Sequence, residues 1–339
     1  MPAPNPFIFG SPVPASRVIG RTKALRQVID RLSNLAREST SIVAADRMGR
    51  TSFLRYLTSK ELRDDEPELQ SFVQVFFDGI TAKNSNDQEI WKQILKAAKK
   101  AYFDNSMDAE FDQAIDRAEK EDLSIADLED LCDCLADRDK LLLVAMDDFH
   151  HLLANPKLRP PNSFFDDLRS LLIRPPHTLV LVTASPRFLM DLWNLGPGGS
   201  PFYNIFATVI LEKFTDEEIS NLLEVWLKGT NVIFTEDDKQ LVNKYSRGHP
   251  MLVQYAAHLL YDCHVNAVAD KAGALDKAIN DDMGQVMTLY RHLYRQLNKL
   301  ELEALDNLRK TPEKLSPPQR KLLEEMIERG ALPPGVNLP

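Results

Sequence analysis

The chain has 339 residues, with 41 Lys+Arg against 50 Asp+Glu and a formal net charge of −9; that length calls for two or three packed units rather than one. Hydrophobic residues at 44% and charged residues at 27% are ordinary globular composition and exclude a disordered chain. The acidic balance speaks against non-specific nucleic-acid binding. Three cysteines, Cys132, Cys134 and Cys263, are too few for a disulfide framework. No apolar run approaches the roughly 18 residues of a membrane span, and MPAPNPFIFGSPVP lacks the basic start and apolar core of a signal peptide. A soluble cytoplasmic protein is expected.

Residues 1–20 carry Pro2, Pro4, Pro6, Pro12 and Pro14, which forbid a helix and favour an extended lead-in. Helical spacing begins at Thr22, with Leu25, Val28, Ile29 and Leu32 at three- and four-residue steps. Ser39 to Ala45 is a short β-branched run, read as a strand, and it leads through DRMGR into a helix beginning at Thr51. Ser71 to Phe77 reads as a second strand, followed by a helix over about 87–102. An acidic helical stretch covers about 107–138. Lys140 to Met146 is then a continuous apolar strand of the kind buried on both faces of a parallel sheet. A helix over 164–173 and a fourth strand, Thr178 to Ala184, follow, with a short fifth strand near 208–211. Strands alternating with helices predict an α/β sheet covered on both sides. After Phe214 the pattern is helical, opening with Thr215 as cap and Glu218 three residues on. The expected organisation is a lead-in at 1–20, an α/β core at 21–213, a helical lid at 214–285 and a further helical unit at 286–339.

The informative segment is Ala44-Ala-Asp-Arg-Met-Gly49-Arg50-Thr51. A phosphate-binding P-loop needs G-x-x-x-x-G-K-[ST] between a strand and a helix. Its glycines let backbone N–H groups wrap the phosphates, its lysine reaches the β/γ oxygens and its hydroxyl holds Mg²⁺. The strand–loop–helix context, Gly49 and Thr51 match; Ala44 replaces the first glycine and Arg50 replaces the lysine. Alanine lacks glycine's backbone freedom, and a planar guanidinium is not a compact ammonium. The third strand ends in Asp147-Asp148. Alone, the pair reads as a solvated strand end. Downstream of such a loop, Asp147 fits the Mg²⁺ position and Asp148 the water-polarising position, one methylene shorter than glutamate.

Taken in order, Val18-Ile-Gly-Arg21, Ser41 to Leu54, Leu141 to Asp148, and Ser246-Arg-Gly-His-Pro250 followed by Met251-Leu-Val-Gln254 resemble the AAA+-related STAND NTPases, relatives of NLR and apoptotic ATPases. Asn5-Pro-Phe and Gly10-Ser-Pro-Val are similar to the lead-in of those proteins, and the resemblance spans about residues 5–265. It implies a P-loop NTPase core with a helical lid and a partial winged-helix-like C-terminal unit, with ATP or ADP and Mg²⁺ as ligands. It implies that Ile19, Gly20 and Arg21 lie near the adenine. By the same resemblance Asp46, Arg47, Met48, Gly49, Arg50, Thr51 and Ser52 surround the phosphates, and His249 and Pro250 of the lid approach them. Thr51 and Asp147 are the expected metal ligands, and Asp148 the expected catalytic residue that polarises water. The chain departs at Arg50 and Asp148, and Thr183-Ala-Ser185 stands on the fourth strand where a sensor arginine is expected, leaving Arg187 as nearest candidate. Each lost transition-state contact is typically worth about 10²–10³ in rate, so slow or absent hydrolysis is expected.

Other constellations carry less. Cys132-Asp-Cys134 has the wrong spacing for a zinc knuckle. His150-His151 and Cys263-His264 are adjacent pairs that do not converge on one metal, although His151 follows the acidic pair closely. No G-x-S-x-G elbow surrounds Ser185, and Asp78 reads as a cap or loop residue. The glycine-rich loop 195–201 reads equally as a functional loop or a plain connection. In the C-terminal unit Ser316 caps a helix that ends at Gly330. Arg320, Lys321 and Arg329 against Glu324, Glu325 and Glu328 favour packing or protein contact over nucleic acid. The function expected first is a nucleotide-dependent regulatory or adaptor switch acting on self-association or a protein partner. The second is a non-binding pseudo-ATPase scaffold, and an active ATPase is third.

Overall fold

The computed structural model describes residues 3–103, 123–159, 164–194, 201–281, 284–332, 336 and 338. The loop at 195–200 and the acidic stretch at 107–122 lie outside them. The described chain packs as two compact units, residues 22–43 with 50–209, and residues 1–21, 44–49 and 210–339.

The first unit is built on a five-stranded sheet. Its strands are β1 Thr40–Val43, β2 Phe72–Asp78, β3 Leu141–Asp147, β4 Leu179–Ser185 and β5 Ala207–Ile210, in the order β2-β3-β4-β1-β5. The pairs β1/β4, β2/β3 and β3/β4 are parallel. All seven residues of β3 and of β4 are buried, as the continuous apolar runs predicted. The strands lie within about two residues of their expected limits. The shift at β3 has a cause: ladder pairing of Asp78 with Asp147 carries the strand one residue past the apolar run. The core over β2, β3 and β4 runs from Val73 and Val75 through Ile90, Trp91 and Ile94 to Val144, Met146, Phe149 and Phe165.

The second unit is helical. Helices Asp216–Leu227, Glu236–Ser246, Pro250–Val265 and Lys271–Ile279 are followed by Gln285–Arg295, Lys299–Lys310 and Pro317–Glu328. Capping boxes at Thr215, Thr235, Asn298 and Ser316 satisfy backbone donors that each helix start leaves open. The proline-rich lead-in is extended and strapped to helix Pro250–Val265. Asn5 donates to the carbonyl of His258 at 2.9 Å and to Asp262 at 2.8 Å, and the Tyr261 hydroxyl donates to the Ala3 carbonyl at 2.9 Å. Phe7 stacks on Trp226 and on Phe234, each with centroids 5.9 Å apart. These rings join Leu223, Val253, Ala257 and Leu260 in one core.

Candidate functional site

In the sheet unit, helix Arg50–Leu57 starts with the two residues singled out from the sequence. Thr51 Oγ1 donates to Asp147 Oδ2 at 2.5 Å. Arg50 Nη2 donates to Asp148 Oδ1 at 2.8 Å, with side-chain exposures of 9% and 18%. Asp147 closes β3 almost fully buried. Burial pushes its carboxyl above the usual carboxylate range, against the Thr51 hydrogen bond, and the neighbouring Asp148 charge adds to the rise. Asp148 leaves the strand in the left-handed region at φ 45°, and its amide donates to Asp147 Oδ1 at 3.0 Å. Gly79 makes room for this turn. A Cβ there would lie 2.7 Å from the Asp148 carbonyl oxygen and 2.8 Å from that of Asp147. His150 Nδ1 stands 4.0 Å from Asp148 Oδ1, and the His150 and His151 rings lie with centroids 4.2 Å apart. Asp78 Oδ1 accepts from the Ile80 amide at 2.9 Å, a turn contact. Ser52 is half-buried in the first turn of helix Arg50–Leu57.

In the helical unit, residues 44–49 form the loop itself. Ala44, Ala45 and Met48 are buried. Arg47 takes φ 65° and Gly49 φ 93°. A left-handed arginine costs on the order of 1 kcal/mol, which its surroundings must offset. Asp46 is half-buried and Arg47 exposed, its guanidinium donating to the Gly10 carbonyl at 3.2 Å.

Ile19 packs against the helical core. Gly20 turns at φ 76° with Glu218 close behind it, and the Arg21 amide donates to Glu218 Oε1 at 2.7 Å. The buried Arg21 guanidinium donates to the carbonyls of Glu212 and Met48 and lies 4.5 Å over the Phe214 ring. Burial lowers its pKa to about 10, opposed by the Glu218 and Glu212 charges. Arg21 is therefore a backbone brace on the loop, a role that sequence reasoning missed because an isolated Gly-Arg carries no local signal of it.

His249 and Pro250 open helix Pro250–Val265, with Pro250 in its first turn. Gly248 is required: at φ +79° a Cβ would meet the Phe214 carbonyl oxygen at 2.4 Å. His249 is fully buried, and neither ring nitrogen has a hydrogen-bond partner. Burial pushes its pKa down to about 3, with Lys213 and Arg21 adding to the fall. Lys213 is itself lowered by burial and by Arg247. A buried neutral imidazole with neither ring nitrogen paired is a polar group that calls for a partner.

The residues present fit the implied ligands. Thr51 and Asp147 offer hard oxygens of the kind Mg²⁺ takes together with phosphate oxygens and water. Among the described residues no cluster of three or more His, Cys, Asp and Glu is placed to hold a metal by itself. Cys132 is buried with its thiol pushed up to about 12, burial being the main cause. On β4, Thr183 is buried and the Ser185 hydroxyl donates to the Arg187 carbonyl at 2.7 Å.

No family model matches the chain, and no curated protein sequence matches it. Solved structures do. The Walker-type ATPase PABY2304 of Pyrococcus abyssi is similar at 18% identity and TM-score 0.59, over 95% of this chain and 92% of that one. The ORC2 protein of Aeropyrum pernix, in ADPNP–ADP complexes, is similar at 15% identity and TM-score 0.56, over 95% of this chain and 83% of that one. Its ADP form is similar at 13% identity and TM-score 0.52, over 96% and 93%. The parallel five-stranded sheet and its helices have the P-loop NTPase fold of these neighbours.

Proposed function

We propose that the chain is a nucleotide-binding regulatory or adaptor protein that takes ATP or ADP with Mg²⁺ and hydrolyses ATP slowly or not at all. The observation that carries the nucleotide reading is the Thr51 hydroxyl set on the Asp147 carboxylate at 2.5 Å, directly after the loop. When bound, Mg²⁺ would draw charge off the phosphate oxygens between them. The neutral His249 ring has one N–H without a partner that could donate to an anionic ligand, which lends further support. Asp46, Arg47, Met48, Gly49, Arg50, Thr51 and Ser52 are the proposed phosphate contacts. Ile19, Gly20 and Arg21 are proposed for the base side, and His249 and Pro250 for phosphate sensing.

Slow hydrolysis follows from the Arg50–Asp148 pair. A guanidinium held by a carboxylate is not free for β/γ oxygens, and a carboxylate held by a guanidinium is a weaker base towards water. The regulatory role follows from that deficit, because a ligand that is not turned over acts only through its differential affinity for two states of its host. Self-association and a protein partner are the outputs this reading allows. A non-binding scaffold is the second reading, favoured by the same pair, since the Arg50 guanidinium is already engaged by Asp148.

Isothermal titration with ATP and ADP, with and without Mg²⁺, tests the reading once a denatured sample has been checked for co-purified nucleotide. Bound nucleotide or micromolar affinity supports the switch. An empty protein without heat of binding overturns it and leaves the scaffold.

A further inference from the structure

The phosphate loop is gripped at Ala45, Asp46 and Met48 by the far end of the chain. The Ala45 amide donates to the Arg329 carbonyl at 2.6 Å. Asp46 Oδ2 accepts from Gln296 Nε2 at 2.7 Å and lies 2.7 Å from His292 Nε2. Met48 packs its thioether on Gly330, where a Cβ would come within 2.5 Å of the sulfur and where φ is +75°. The gripping residues are themselves fixed. Arg329 and Glu301 form a buried ion pair at 2.5 Å, while the other Glu301 oxygen caps helix Lys299–Lys310 at the Asn298 amide, 2.7 Å away. The position of the Arg329 carbonyl is thus set by a carboxylate with both oxygens in use.

This loop needs such a grip. Alanine replaces its first glycine, and Arg47 sits in the left-handed region. A loop of that kind loses its shape unless something outside it over-determines the backbone. Arg21 braces Met48 from one direction; the C-terminal helices hold Ala45, Asp46 and Met48.

We propose that the C-terminal helices of residues 285–328, with the turn at Arg329-Gly330, are the clamp that holds the phosphate loop in its anion-ready shape. His292 and Gln296 are its positioning residues, acting through Asp46. By reciprocity, an anion in the loop tightens the clamp by the factor with which the clamp tightens the anion. The clamp itself stands on intramolecular contacts; only its link to a ligand rests on the nucleotide reading above.

The test uses the full chain carrying His292→Ala and Gln296→Ala. His292 is more than half exposed, so the thermal midpoint should move little. Hydrogen exchange at the amides of residues 45–48 should accelerate about tenfold without ligand. Binding of pyrophosphate and of ADP·Mg²⁺ should weaken by about the same factor, in the range of ordinary coupling energies. His292→Gln with Gln296 intact retains a donor and should restore both. Gly330→Ala, which displaces Met48, should loosen the loop independently. Wild-type exchange at 45–48 in both variants would overturn the clamp. Tighter binding in the double variant would also overturn it, making the helices a competitor. A loop that loosens in a chain binding neither ligand would support the clamp and sink the nucleotide reading alone.

Discussion

Arg50 and Asp148 neutralise each other across 2.8 Å in a site with little solvent, so any phosphate must win the guanidinium from a carboxylate already in place. Asp148→Asn removes the competitor's charge and keeps its size. Nucleotide affinity should then rise about tenfold, equivalent to about 1.4 kcal/mol, in titrations with ADP·Mg²⁺; unchanged affinity would mean that the pair does not limit binding. Arg50→Ala works in the opposite sense, leaving Asp148 to repel the phosphates, and binding should be lost. Arg50→Lys combined with Asp148→Glu restores the residue types that P-loop enzymes use. Turnover should rise if the pocket is otherwise competent, and a flat rate of phosphate release would count against latent activity. Gly79 is a separate matter of space. A methyl group 2.7 Å from the Asp148 carbonyl oxygen must push the β3 exit aside, so Gly79→Ala should destabilise by about 1–3 kcal/mol, read from urea unfolding.

At the scale of elements, the start of helix Pro250–Val265 carries a pH dependence. The His249 pKa falls from 6.5 unfolded to about 3 folded. Between those values the unfolded chain holds a proton the folded chain lacks, so stability falls as pH drops from about 6.5 towards 3. One group contributes at most about 1.4 kcal/mol per pH unit. Asp147, raised by burial, runs the other way above its unfolded value. Asp238, held low against its own burial by hydrogen bonds from Thr235, Lys271 and His264, keeps its stabilisation above about 3.8 and loses it only below that. Subtracting the urea midpoints of His249→Gln from wild type over pH 7 to 5 isolates the imidazole, and parallel profiles would refute the assignment. The elements themselves were largely legible. β3 and β4 are buried on both faces, and a run such as Leu141 to Met146 is apolar for that reason. Thr215 and Ser316 mark helix starts because open amides need an acceptor; the start at Pro250 is seen only in the structure. Thr51 and Asp147 were legible because a strand end and a loop end are local features. Arg21 was not, since its work is done on carbonyls at Met48 and Glu212, far along the chain.

Contacts of the whole chain are where sequence reading gives out, and they decide what the C-terminal basic residues can do. Asp46 meets His292 and Gln296 across about 250 positions, and nothing local in either segment announces the partner. The same holds for Arg329. Counted on a helix, it belongs with Arg320 and Lys321 as a basic face. In the folded unit it is buried at 5% exposure against Glu301, where charge reaches no phosphate backbone. That leaves Arg320 and Lys321 against Glu324, Glu325 and Glu328 on a chain of net charge −9, a local field that repels a polyanion. Fluorescence anisotropy with a labelled duplex of about 20 base pairs should therefore show no saturable binding at physiological salt, where even non-specific binders reach about 10⁻⁴–10⁻⁶ M. Saturable binding that weakens steeply with salt and vanishes in Arg320→Ala with Lys321→Ala would overturn the preference for protein contact. Binding that survived both substitutions would move the basic face elsewhere on the molecule.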